Sequence, residues 1–400
     1  MNNNLRDKIV KSLFVSNCIK IGKFKLKNGE LSKYYFDMKN LIAYPQLIKV
    51  IGDEIYNQLK DTEFDIICGI PYGGLPIACY ISTTYNKPMI FIRNNTKEYG
   101  TQKLIEGEYS PTDKCVIIDD VITTGKSIQE CIDILEKQVN IVNIFTILNR
   151  QQSISVSRPI NSLLYKNDII KYRLHQIMKI KKTNICFSAD LKDTTKIIKI
   201  LETIGNDIVI CKIHFDIIND DNFKESLIDM SIKYNFLIME DRKFNDISSI
   251  VEKQYEKFQN WVDLVTVHSL VSSNVVSKLS GACIVSNMSN NNYDFVSESK
   301  LLCIQNPNNV IGLITQYRII IDELPNILCM TPGISRNTMN IDDQTYRNVT
   351  DIDTDIYIIG RSLYNSINIK EEIKHYKSLF DSVKAYKSTT NNVYFDLDNI

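Results

Sequence analysis

The feature that most constrains the fold is a series of eight short apolar runs in the second half of the chain. They occupy residues 185–189, 208–213, 236–239, 264–267, 283–285, 310–313, 327–330 and 356–359. Short apolar runs that alternate with stretches long enough for a helix indicate buried parallel strands, and eight such strands are the number that closes a barrel. Residues 316–326 leave room for only a short or irregular connection. We therefore predict a C-terminal (β/α)8 TIM barrel.

The first 150 residues alternate strand and helix patterns in the same way. Strand candidates lie at residues 24–27, 34–37, 66–68, 89–92, 115–118 and 141–148, and helical spacing of apolar residues follows Pro45 and Gly125. This alternation predicts an α/β fold in which helices cover a parallel sheet. A mixed helical run at residues 168–181, without a Gly/Ser linker, is expected to join the two halves. The expected domains are residues 1–170, residues 171–387 and a peripheral tail at residues 388–400.

Charge and composition exclude several classes of protein. The 47 basic and 47 acidic residues cancel, so the chain has no bulk attraction to nucleic acid or to an anionic membrane. No run approaches the length of a membrane-spanning helix, and the polar start lacks the apolar core of a signal peptide, which favours a soluble cytoplasmic protein. The ten cysteines have no Cys-x-x-Cys pair and only four histidines to join them. We expect buried reduced thiols rather than disulfides or zinc.

A phosphate-binding motif follows one predicted strand of the first half. Residues 116–127 read Val-Ile-Ile-Asp-Asp-Val-Ile-Thr-Thr-Gly-Lys-Ser, an apolar strand followed by two acids and a glycine turn that opens into a helix. Backbone N–H groups at the start of that helix can hold a phosphate, and Gly125 permits close approach. The hydroxyls of Thr123, Thr124 and Ser127 add donors. The motif therefore predicts a site for a 5'-phosphate.

The two acids of this motif suit a ribose. Asp119 and Asp120 can bind its 2' and 3' hydroxyls and stabilise positive charge that develops at C1'. The alternative is a capped helix with two surface acids, which a bare Asp-Asp pair would favour. The full twelve-residue pattern argues against that alternative.

At these residues the sequence resembles the type I phosphoribosyltransferases, and its surroundings resemble orotate phosphoribosyltransferases. Residues 24–29 and 32–37 look like the N-terminal hood of that family, 68–76 like its diphosphate-binding turn, 93–100 like its mobile catalytic loop, and 148–150 like the segment with the orotate-side arginine. The resemblance implies that Lys97 is catalytic. It implies phosphoribosyl diphosphate or orotate contacts from Lys27, Tyr35, Phe36, Tyr72, Arg93, Tyr99, Asp119, Asp120, Thr123, Thr124, Gly125, Lys126, Ser127 and Arg150.

The same resemblance implies a cofactor and an assembly. Mg²⁺ would be held mainly by the diphosphate of the substrate, without direct protein ligation, and the catalytic loop would reach into the site of a neighbouring subunit. One position departs from the family, because Asn94 stands where a lysine usually follows the arginine. Loss of a cation beside a leaving diphosphate should weaken transition-state stabilisation. A retained but impaired transferase domain therefore stays open as an alternative.

Charged side chains follow three successive strands of the predicted barrel. Asp190 ends the first and Lys212 the second, and Asp241, Lys243 and Asp246 come after the third. The C-terminal ends of barrel strands are where barrel enzymes carry out their chemistry. Rim salt bridges are the alternative, yet repeated charge after apolar strands is costly unless a polar ligand or network uses it. Interleaved lysines and aspartates could hold one another rigidly, so that Lys243 stabilises a carbanion and then protonates it.

This set resembles the Asp-x-Lys-x-x-Asp motif of orotidine 5'-monophosphate decarboxylases. The resemblance implies that Asp241, Lys243, Asp246 and Lys212 are catalytic, that no cofactor is needed, and that Asp246 completes the site of the partner subunit in a homodimer. It implies substrate contacts from Ser188, Asp190, His214, Ser289, Pro332, Gln344, Tyr346, Gly360 and Arg361. Ile250 stands where the family has a threonine, a change expected to cost on the order of 1 kcal/mol. His268 matches no ligand contact, and we expect it in the core.

The two resemblances together imply consecutive reactions on one chain. The first half would make orotidine 5'-monophosphate from orotate and phosphoribosyl diphosphate, and the second half would decarboxylate it to UMP. No nucleic acid or membrane partner is expected. A non-catalytic nucleotide-binding protein on inherited folds is the remaining alternative, and the intact lysine and aspartate set argues against it.

Overall fold

The computed structural model describes residues 1–26, 29–93, 104–151, 155–220, 222–288, 293–336, 338–341 and 344–379. These residues form two compact units. The first unit contains Met1–Lys20 and Tyr35–Asp168, and the second contains Ile21–Tyr34 and the described residues from Ile169 onward. The short segment Ile21–Tyr34 therefore groups with the second unit, although it lies near the start of the chain.

A six-stranded sheet forms the centre of the first unit. Its elements are α1 (Asn3–Val15), α2 (Pro45–Leu59), β3 (Ile66–Gly69), α3 (Leu75–Tyr85), β4 (Met89–Ile92), β5 (Ile105–Glu106), β6 (Lys114–Ile122), α4 (Lys126–Leu135), β7 (Asn140–Asn149) and β8 (Asn161–Tyr165), with a 3-10 helix at Met38–Ala43. The strand order is β5-β4-β3-β6-β7-β8, and only β5 runs antiparallel to its neighbour. The sheet confirms the predicted α/β fold. It places the carboxyl ends of β3 and β6 side by side, since Gly69 pairs with Ile118.

The strands that precede this sheet form a separate hairpin. Strand β1 (Ile19–Lys25) and strand β2 (Leu31–Phe36) make a two-stranded sheet. Both strands begin earlier in the chain than the apolar pattern predicts, because each includes a lysine: Lys20 of β1 is half-buried and Lys33 of β2 is buried.

The second unit is a closed barrel of eight parallel strands. Its barrel strands are β9 (Ile185–Ala189), β10 (Ile210–Ile213), β11 (Leu237–Phe244), β12 (Leu264–His268), β13 (Ala282–Val285), β14 (Val310–Ile314), β15 (Leu328–Thr331) and β19 (Ile356–Ile359). They pair in chain order, and β19 closes on β9. The predicted barrel is confirmed, and each of the eight apolar runs supplies one strand.

Helices and a small sheet complete the second unit. The helices are α5 (Lys166–Lys181), α6 (Thr194–Ile204), α7 (Phe223–Tyr234), α8 (Ser248–Tyr255), α9 (Ser273–Val276), α10 (Val296–Gln305), α11 (Arg361–Tyr364) and α12 (Ile369–Ser378), with 3-10 helices at Gly205–Asp207, Phe215–Ile217 and Val349–Asp351. Strands β16 (Ile334–Ser335), β17 (Met339–Ile341) and β18 (Gln344–Asn348) form a sheet in the connection after β15. The connection between β14 and β15 contains no helix, as predicted.

Alternation along the barrel strands separates two apolar cores. Cys186 of β9 belongs to an inner cluster that includes Ile170 and Leu174 of α5, whereas Phe187 belongs to an outer cluster with the surrounding helices. Successive side chains of a strand point to opposite faces, so residues 186 and 188 share the inner face. The inward-facing residues of β9 are therefore apolar near the start of the strand, at Cys186, and polar near its end, at Ser188. This alternation carries the polar residues of each strand into the mouth of the barrel.

Two expectations drawn from composition concern the cysteines and the helices. All ten cysteines are unpaired; nine are buried as expected, and Cys79 is exposed. Within the ranges described above, no helix is both long and apolar enough to span a lipid bilayer.

Candidate active sites

Three charged side chains from two adjacent barrel strands form an ionic array. Lys212 Nζ lies 2.5 Å from Asp241 Oδ2, and Lys243 Nζ lies 2.9 Å from the same oxygen. Lys212 and Asp241 are buried, and Lys243 is about one-third exposed. The two ammonium groups thus share one carboxylate oxygen. The predicted interleaving of lysine and aspartate is present at the mouth of the barrel.

A second carboxylate extends the array towards β9. Asp190 Oδ1 accepts a hydrogen bond from Lys212 Nζ at 3.2 Å, and Ser188 Oγ donates to the same carboxylate at 2.9 Å. His214 Nε2 lies 3.3 Å from Asp241 Oδ2 and 3.6 Å from Asp190 Oδ1. Four of the five charged side chains predicted after the first three barrel strands, all except Asp246, therefore meet at one point.

The electrostatics of the array keep its members charged. Burial alone would raise the pKa of Asp241, but the adjacent cations, Lys212 foremost, outweigh burial and hold this pKa well below its ordinary value. Burial would lower the pKa of Lys212, but Asp241 and Asp190 outweigh it and raise this pKa. Asp190 likewise has a lowered pKa, since Lys212 and Ser188 offset its burial. Asp190, Lys212 and Asp241 are therefore held in their charged forms at neutral pH.

A threonine that the sequence analysis did not select fixes the position of Lys243. Thr266 Oγ1 donates to Asp241 Oδ1 at 2.7 Å and accepts from the backbone N–H of Lys243 at 2.9 Å. Lys243 has a backbone φ of +49°, a left-handed conformation that non-glycine residues seldom adopt. The register between β11 and β12 shifts between Glu240 and Phe244. The buried Thr266 hydroxyl therefore holds the strained backbone of Lys243 next to the Asp241 carboxylate. This carboxylate pairs with both lysines.

Glu240 is the neighbour of Asp241 in the chain but lies on the opposite face of β11. Its side chain is fully buried, and its Oε2 accepts a hydrogen bond from the backbone N–H of Phe215 at 3.0 Å. Burial, together with Asp216 and Asp241, raises the pKa of Glu240 to about 8. Glu240 therefore links β11 to the residue that follows His214.

We expect the substitution Glu240→Gln to change how stability depends on pH. The folded chain keeps a proton on Glu240 between pH 4.5 and about 8, whereas the unfolded chain loses it near pH 4.5. The unfolded state binds fewer protons in this window, so Glu240 makes the wild type less stable as pH rises, by at most about 1.4 kcal/mol per pH unit. Glutamine can still accept from Phe215 and does not titrate. Urea unfolding at pH 5, 6.5 and 8 should show the variant gaining stability over wild type, with no such trend for Glu252→Gln, which is only partly buried.

A cavity of about 300 Å³ opens at this end of the barrel. The predicted residues that line it are Ser188, Asp190, Lys212, His214, Asp241, Lys243, Pro332, Gln344, Tyr346, Gly360 and Arg361. Thr266 and the apolar side chains of Val285, Met288, Ile314, Ile334 and Ile358 also line it. The lining thus combines charged and polar groups with apolar side chains, a combination typical of small-molecule sites.

The predicted phosphate contacts all belong to the cavity lining. Gln344 and Tyr346 come from β18, and the Tyr346 hydroxyl donates to Gln344 Oε1 at 2.9 Å. Arg361 follows Gly360 at the end of β19. A Cβ at Gly360 would lie only 3.3 Å from Ser188 and Asp190, so glycine allows this backbone to approach β9. A guanidinium among neutral hydroxyl and amide groups suits a phosphate dianion.

One predicted residue of the barrel site that the structure describes, Asp246, does not line this cavity. Asp246 is exposed, and its Oδ1 accepts from the backbone N–H of Ile247 at 2.7 Å. Ser289 lies outside the described residues. Ile250 is exposed and also lies away from the cavity lining. We expected His268 in the apolar core. It is instead half-buried, with its ring edge against Phe295.

In the first unit, the two acids of the phosphate motif lie beside the predicted diphosphate turn. A Cβ on Gly73 would come within 1.8 Å of Asp120 Oδ2, so the turn touches this carboxylate directly. The backbone N–H of Asp120 donates to Asp119 Oδ1 at 2.9 Å. Burial, followed by the charge of Asp120, raises the pKa of Asp119 to about 8. The two carboxylates are close enough to act on one ribose.

The substitution Gly73→Ala is expected to disable the first site alone. The added methyl group would overlap Asp120 Oδ2 and Cγ, at 1.8 Å and 2.1 Å, and force that carboxylate to move. A shift of about 1 Å in a positioned group can cost roughly 100-fold in rate. Diphosphate release from orotate and phosphoribosyl diphosphate should fall by about that factor. Decarboxylation by the same purified variant is the internal control, and equal loss of both activities would contradict the prediction.

The remaining predicted residues of the first site are distributed around these acids. Gly125 has a φ of +84° and caps α4, which begins at Lys126. The Lys126 side chain is largely exposed and lies 3.8 Å from Glu130. Thr123 is half-buried, and Thr124 and Ser127 are exposed on the same turn. The loop thus presents its hydroxyls at the surface, as a phosphate site requires.

The expected orotate side is only partly described. The Arg150 guanidinium lies 5.4 Å from the Phe36 ring centroid, and burial lowers the pKa of Arg150. Arg93 Nη1 donates to Glu106 at 2.9 Å. Tyr35 and Tyr72 are exposed. Lys27, Asn94, Lys97 and Tyr99 lie outside the described residues.

The two sites define a class of protein. A nucleotide-sized cavity with a Lys-Asp-Lys array at the mouth of a parallel barrel, preceded by an α/β unit with a ribose phosphate motif, is the arrangement of a two-domain enzyme of nucleotide synthesis. The profile of the orotidine 5'-phosphate decarboxylase / HUMPS family matches residues 183–376, and that of the phosphoribosyl transferase domain matches residues 37–162.

Comparison with characterised proteins identifies the family. Uridine 5'-monophosphate synthase of Bos taurus is 28% identical, over 92% of this chain and 95% of the bovine protein. The protein of the same name from Caenorhabditis elegans is 26% identical over 94% and 96% of the two chains. Orotate phosphoribosyltransferase of Pyrococcus abyssi is 38% identical over 37% of this chain and 83% of the archaeal protein. The chain belongs to the uridine 5'-monophosphate synthase family.

Proposed function

We propose that this chain catalyses two consecutive reactions. The first unit transfers the phosphoribosyl group of phosphoribosyl diphosphate to orotate, giving orotidine 5'-monophosphate and diphosphate. The barrel then decarboxylates that product to UMP. The observation that supports this most directly is the array of Lys212, Asp241 and Lys243 at the mouth of the barrel, on a chain that also carries the ribose phosphate motif.

The array suits decarboxylation without an external electron acceptor. When the bond between C6 of the pyrimidine and its carboxylate breaks, CO2 leaves and the electron pair stays on C6. The Lys243 ammonium group then gives a proton to C6, and solvent returns one to the lysine. Lys243 is already positioned by Asp241 and Thr266, so little reorganisation is needed as negative charge develops.

The buried carboxylate contributes on the reactant side. Asp241 is held ionised by its cations and lies where the carboxylate of the substrate must approach Lys243. Repulsion between the two carboxylates raises the energy of the bound reactant and disappears when CO2 departs. Gln344, Tyr346 and Arg361 bind the 5'-phosphate, which supplies the binding energy that offsets this repulsion.

For the transferase step, the described side chains fit Mg²⁺ only as a partner of the substrate. The described part of the chain contains no group of three or more His, Cys, Asp or Glu side chains able to enclose a metal ion. Asp119 and Asp120 offer two adjacent carboxylates, and oxygen donors of this type suit Mg²⁺ held mainly by a diphosphate. Bound there, the ion would neutralise the leaving diphosphate. The acids bind the ribose hydroxyls and favour positive charge at C1', and Thr123, Thr124 and Ser127 bind the 5'-phosphate.

We further propose that the chain acts as a homodimer. Asp246 is one of the four expected catalytic residues of the barrel, yet it is exposed and does not line the cavity of its own chain. Ile247, the residue after Asp246, is 67% exposed, and a subunit contact at this position would remove its apolar side chain from water. Asp246 would complete the cavity of the partner. The unpaired thiols favour a reducing compartment such as the cytoplasm.

One assay tests the proposed function and its main alternative. Purified protein is incubated with orotate, phosphoribosyl diphosphate and Mg²⁺, and diphosphate, orotidine 5'-monophosphate and UMP are measured over time. Equal amounts of diphosphate and UMP are expected. Because Asn94 replaces a lysine expected beside the diphosphate, an impaired transferase would release no diphosphate but would still convert added orotidine 5'-monophosphate to UMP. Failure of both reactions would leave only a nucleotide-binding protein.

A further inference from the structure

The hairpin of β1 and β2 is fastened to the barrel by a buried lysine. Lys33 is fully buried; its Nζ forms an ion pair with Asp263 and donates to Ser231 Oγ at 3.1 Å. Its backbone N–H donates to the carbonyl of Asn260 at 3.0 Å. Ser231 lies on α7, and Asp263 lies directly before β12. Because Asp263 directly precedes the first residue of β12, these contacts lie at the amino-terminal ends of the barrel strands. The nucleotide cavity lies at the opposite, carboxyl-terminal ends.

The next residue of the hairpin joins the same cluster. The Tyr34 hydroxyl donates to Asp263 Oδ1 at 2.6 Å and accepts from Arg173 Nη1 at 2.7 Å. Asp263 Oδ2 also accepts from the backbone N–H of Ile238 at 2.7 Å. A single fully buried carboxylate therefore binds two residues of the hairpin and one backbone group of β11. Cations, Lys33 foremost, hold the pKa of Asp263 below its ordinary value despite burial.

This arrangement is a costly way to make a purely structural contact. Burial of a lysine is costly, and it lowers the pKa of Lys33 to about 8 although Asp263 opposes the shift. An apolar side chain of similar length would fill the same space without that cost. The ionic cluster instead provides directional contacts, because hydrogen bonds to the Asp263 carboxylate fix the position of β2. By contrast, the pair between Lys23 and Asp229, elsewhere on the hairpin, is exposed and contributes little.

The position of Lys33 and Tyr34 matters because of the two residues that follow them. Strand β2 continues without interruption into Tyr35 and Phe36, which are the residues expected to contact orotate. The Phe36 ring lies beside Arg150, the expected arginine of the orotate side. Successive residues of an extended strand are only about 3.3 Å apart. A fixed position of Lys33 and Tyr34 therefore restricts the positions of Tyr35 and Phe36.

We propose that Lys33 and Asp263 are positioning residues for the transferase reaction, and that the decarboxylase barrel thereby holds the orotate-binding strand of the other active site in place. This inference rests on the proposed transferase function. The barrel is then required for orotate binding and not only for the second reaction. The cluster acts through β2 and touches no substrate itself.

The test compares two matched variants of the hairpin. Lys33→Met removes the buried cation and keeps the length of the side chain, and Lys23→Met makes the same change at the exposed pair. Initial rates are measured for both reactions of the full chain. For Lys33→Met we expect KM for orotate to rise about tenfold or more, with KM for phosphoribosyl diphosphate and the decarboxylation rate within about twofold of wild type. Lys23→Met should match wild type in every parameter.

A second variant covers the case in which Lys33→Met does not fold. Tyr34→Phe keeps the ion pair and removes one hydrogen bond to Asp263, and a smaller increase in KM for orotate is expected from it. If the wild type has transferase activity and both variants have the same KM for orotate as the wild type, the inference is overturned. The proposed function is then left intact. A parallel fall of both activities with the melting temperature would also overturn the inference, because the cluster would then be purely structural. Absence of transferase activity from the wild type would instead refute the proposed function.

Discussion

Replacement of Lys243 by alanine is expected to lower kcat for decarboxylation by about 10⁴-fold or more. The ammonium group is proposed both to stabilise the carbanion and to protonate it, and each role is worth roughly 100-fold to 1,000-fold or more. Lys212 remains 2.5 Å from Asp241 in the variant, so the buried carboxylate keeps a counter-ion and the barrel should fold. The rate is measured from the absorbance change on conversion of orotidine 5'-monophosphate. Circular dichroism checks the fold.

The control for this prediction is another lysine of the same barrel. Lys278 pairs with Glu252 at 3.4 Å, is partly exposed and lies away from the cavity, so Lys278→Ala should decarboxylate at the wild-type rate. Transferase activity should be unchanged in both variants, because neither substitution touches the ribose phosphate motif. Comparable decarboxylation rates in wild type and Lys243→Ala would refute the role of this lysine and, with it, the proposed chemistry of the array.

The barrel and most of its site could be predicted because two simple patterns coincide. Strands buried on both faces must be apolar along their length, so each strand appears in the sequence as a short apolar run. A charge at the carboxyl end of such a run, as at Lys212, or directly after it, as at Asp190, must then lie at the open end of the barrel. These positions are determined by chain connectivity alone. For this reason Asp190 and Lys212 could be placed at the mouth of the barrel before their distances were known, whereas cavity residues such as Gln344 were implied only by the family resemblance.

Residues whose role depends on contacts across the fold gave no such signal. Thr266 is one hydroxyl inside an apolar run, and only its hydrogen bonds to Asp241 and Lys243 reveal its function. Glu240 is part of the same charged sequence as Asp241, yet strand alternation buries it on the other face. The position of Asp246 depends on a local turn after β11, which places it outside the cavity.

The hairpin illustrates the same limit most clearly. A lysine in a surface-like hairpin is expected to be solvated, and its acid partner lies 230 residues away in the chain. No periodicity or composition relates Lys33 to Asp263. Segment Ile21–Tyr34 was expected to belong only to the transferase fold, whereas its contacts group it with the barrel unit. Pairing of buried charges across such a separation requires coordinates.

The second large effect is expected when two inactive variants are mixed. If Asp246 completes the site of the partner, Asp246→Ala should lose roughly 100-fold to 1,000-fold in decarboxylation, as expected for removal of one fixed charge beside the reacting group. A dimer of one Asp246→Ala subunit and one Lys243→Ala subunit contains one site with neither residue and one site with both. Half of randomly reassembled dimers are of this mixed kind, so about a quarter of the wild-type activity should return.

The mixing experiment separates a shared site from a self-contained one. The two variants are purified, partly unfolded together in urea, refolded by dilution and assayed with orotidine 5'-monophosphate; each variant treated alone is the control and should stay inactive. Recovery must depend on protein concentration, because dilution dissociates a dimer. If Asp246 instead acts within its own chain, no mixture can contain an intact site and the activity stays at the level of the separate variants. That result would remove the homodimer from the proposal, because the exposed Asp246 would then need a movement of the loop after β11 to reach its own cavity.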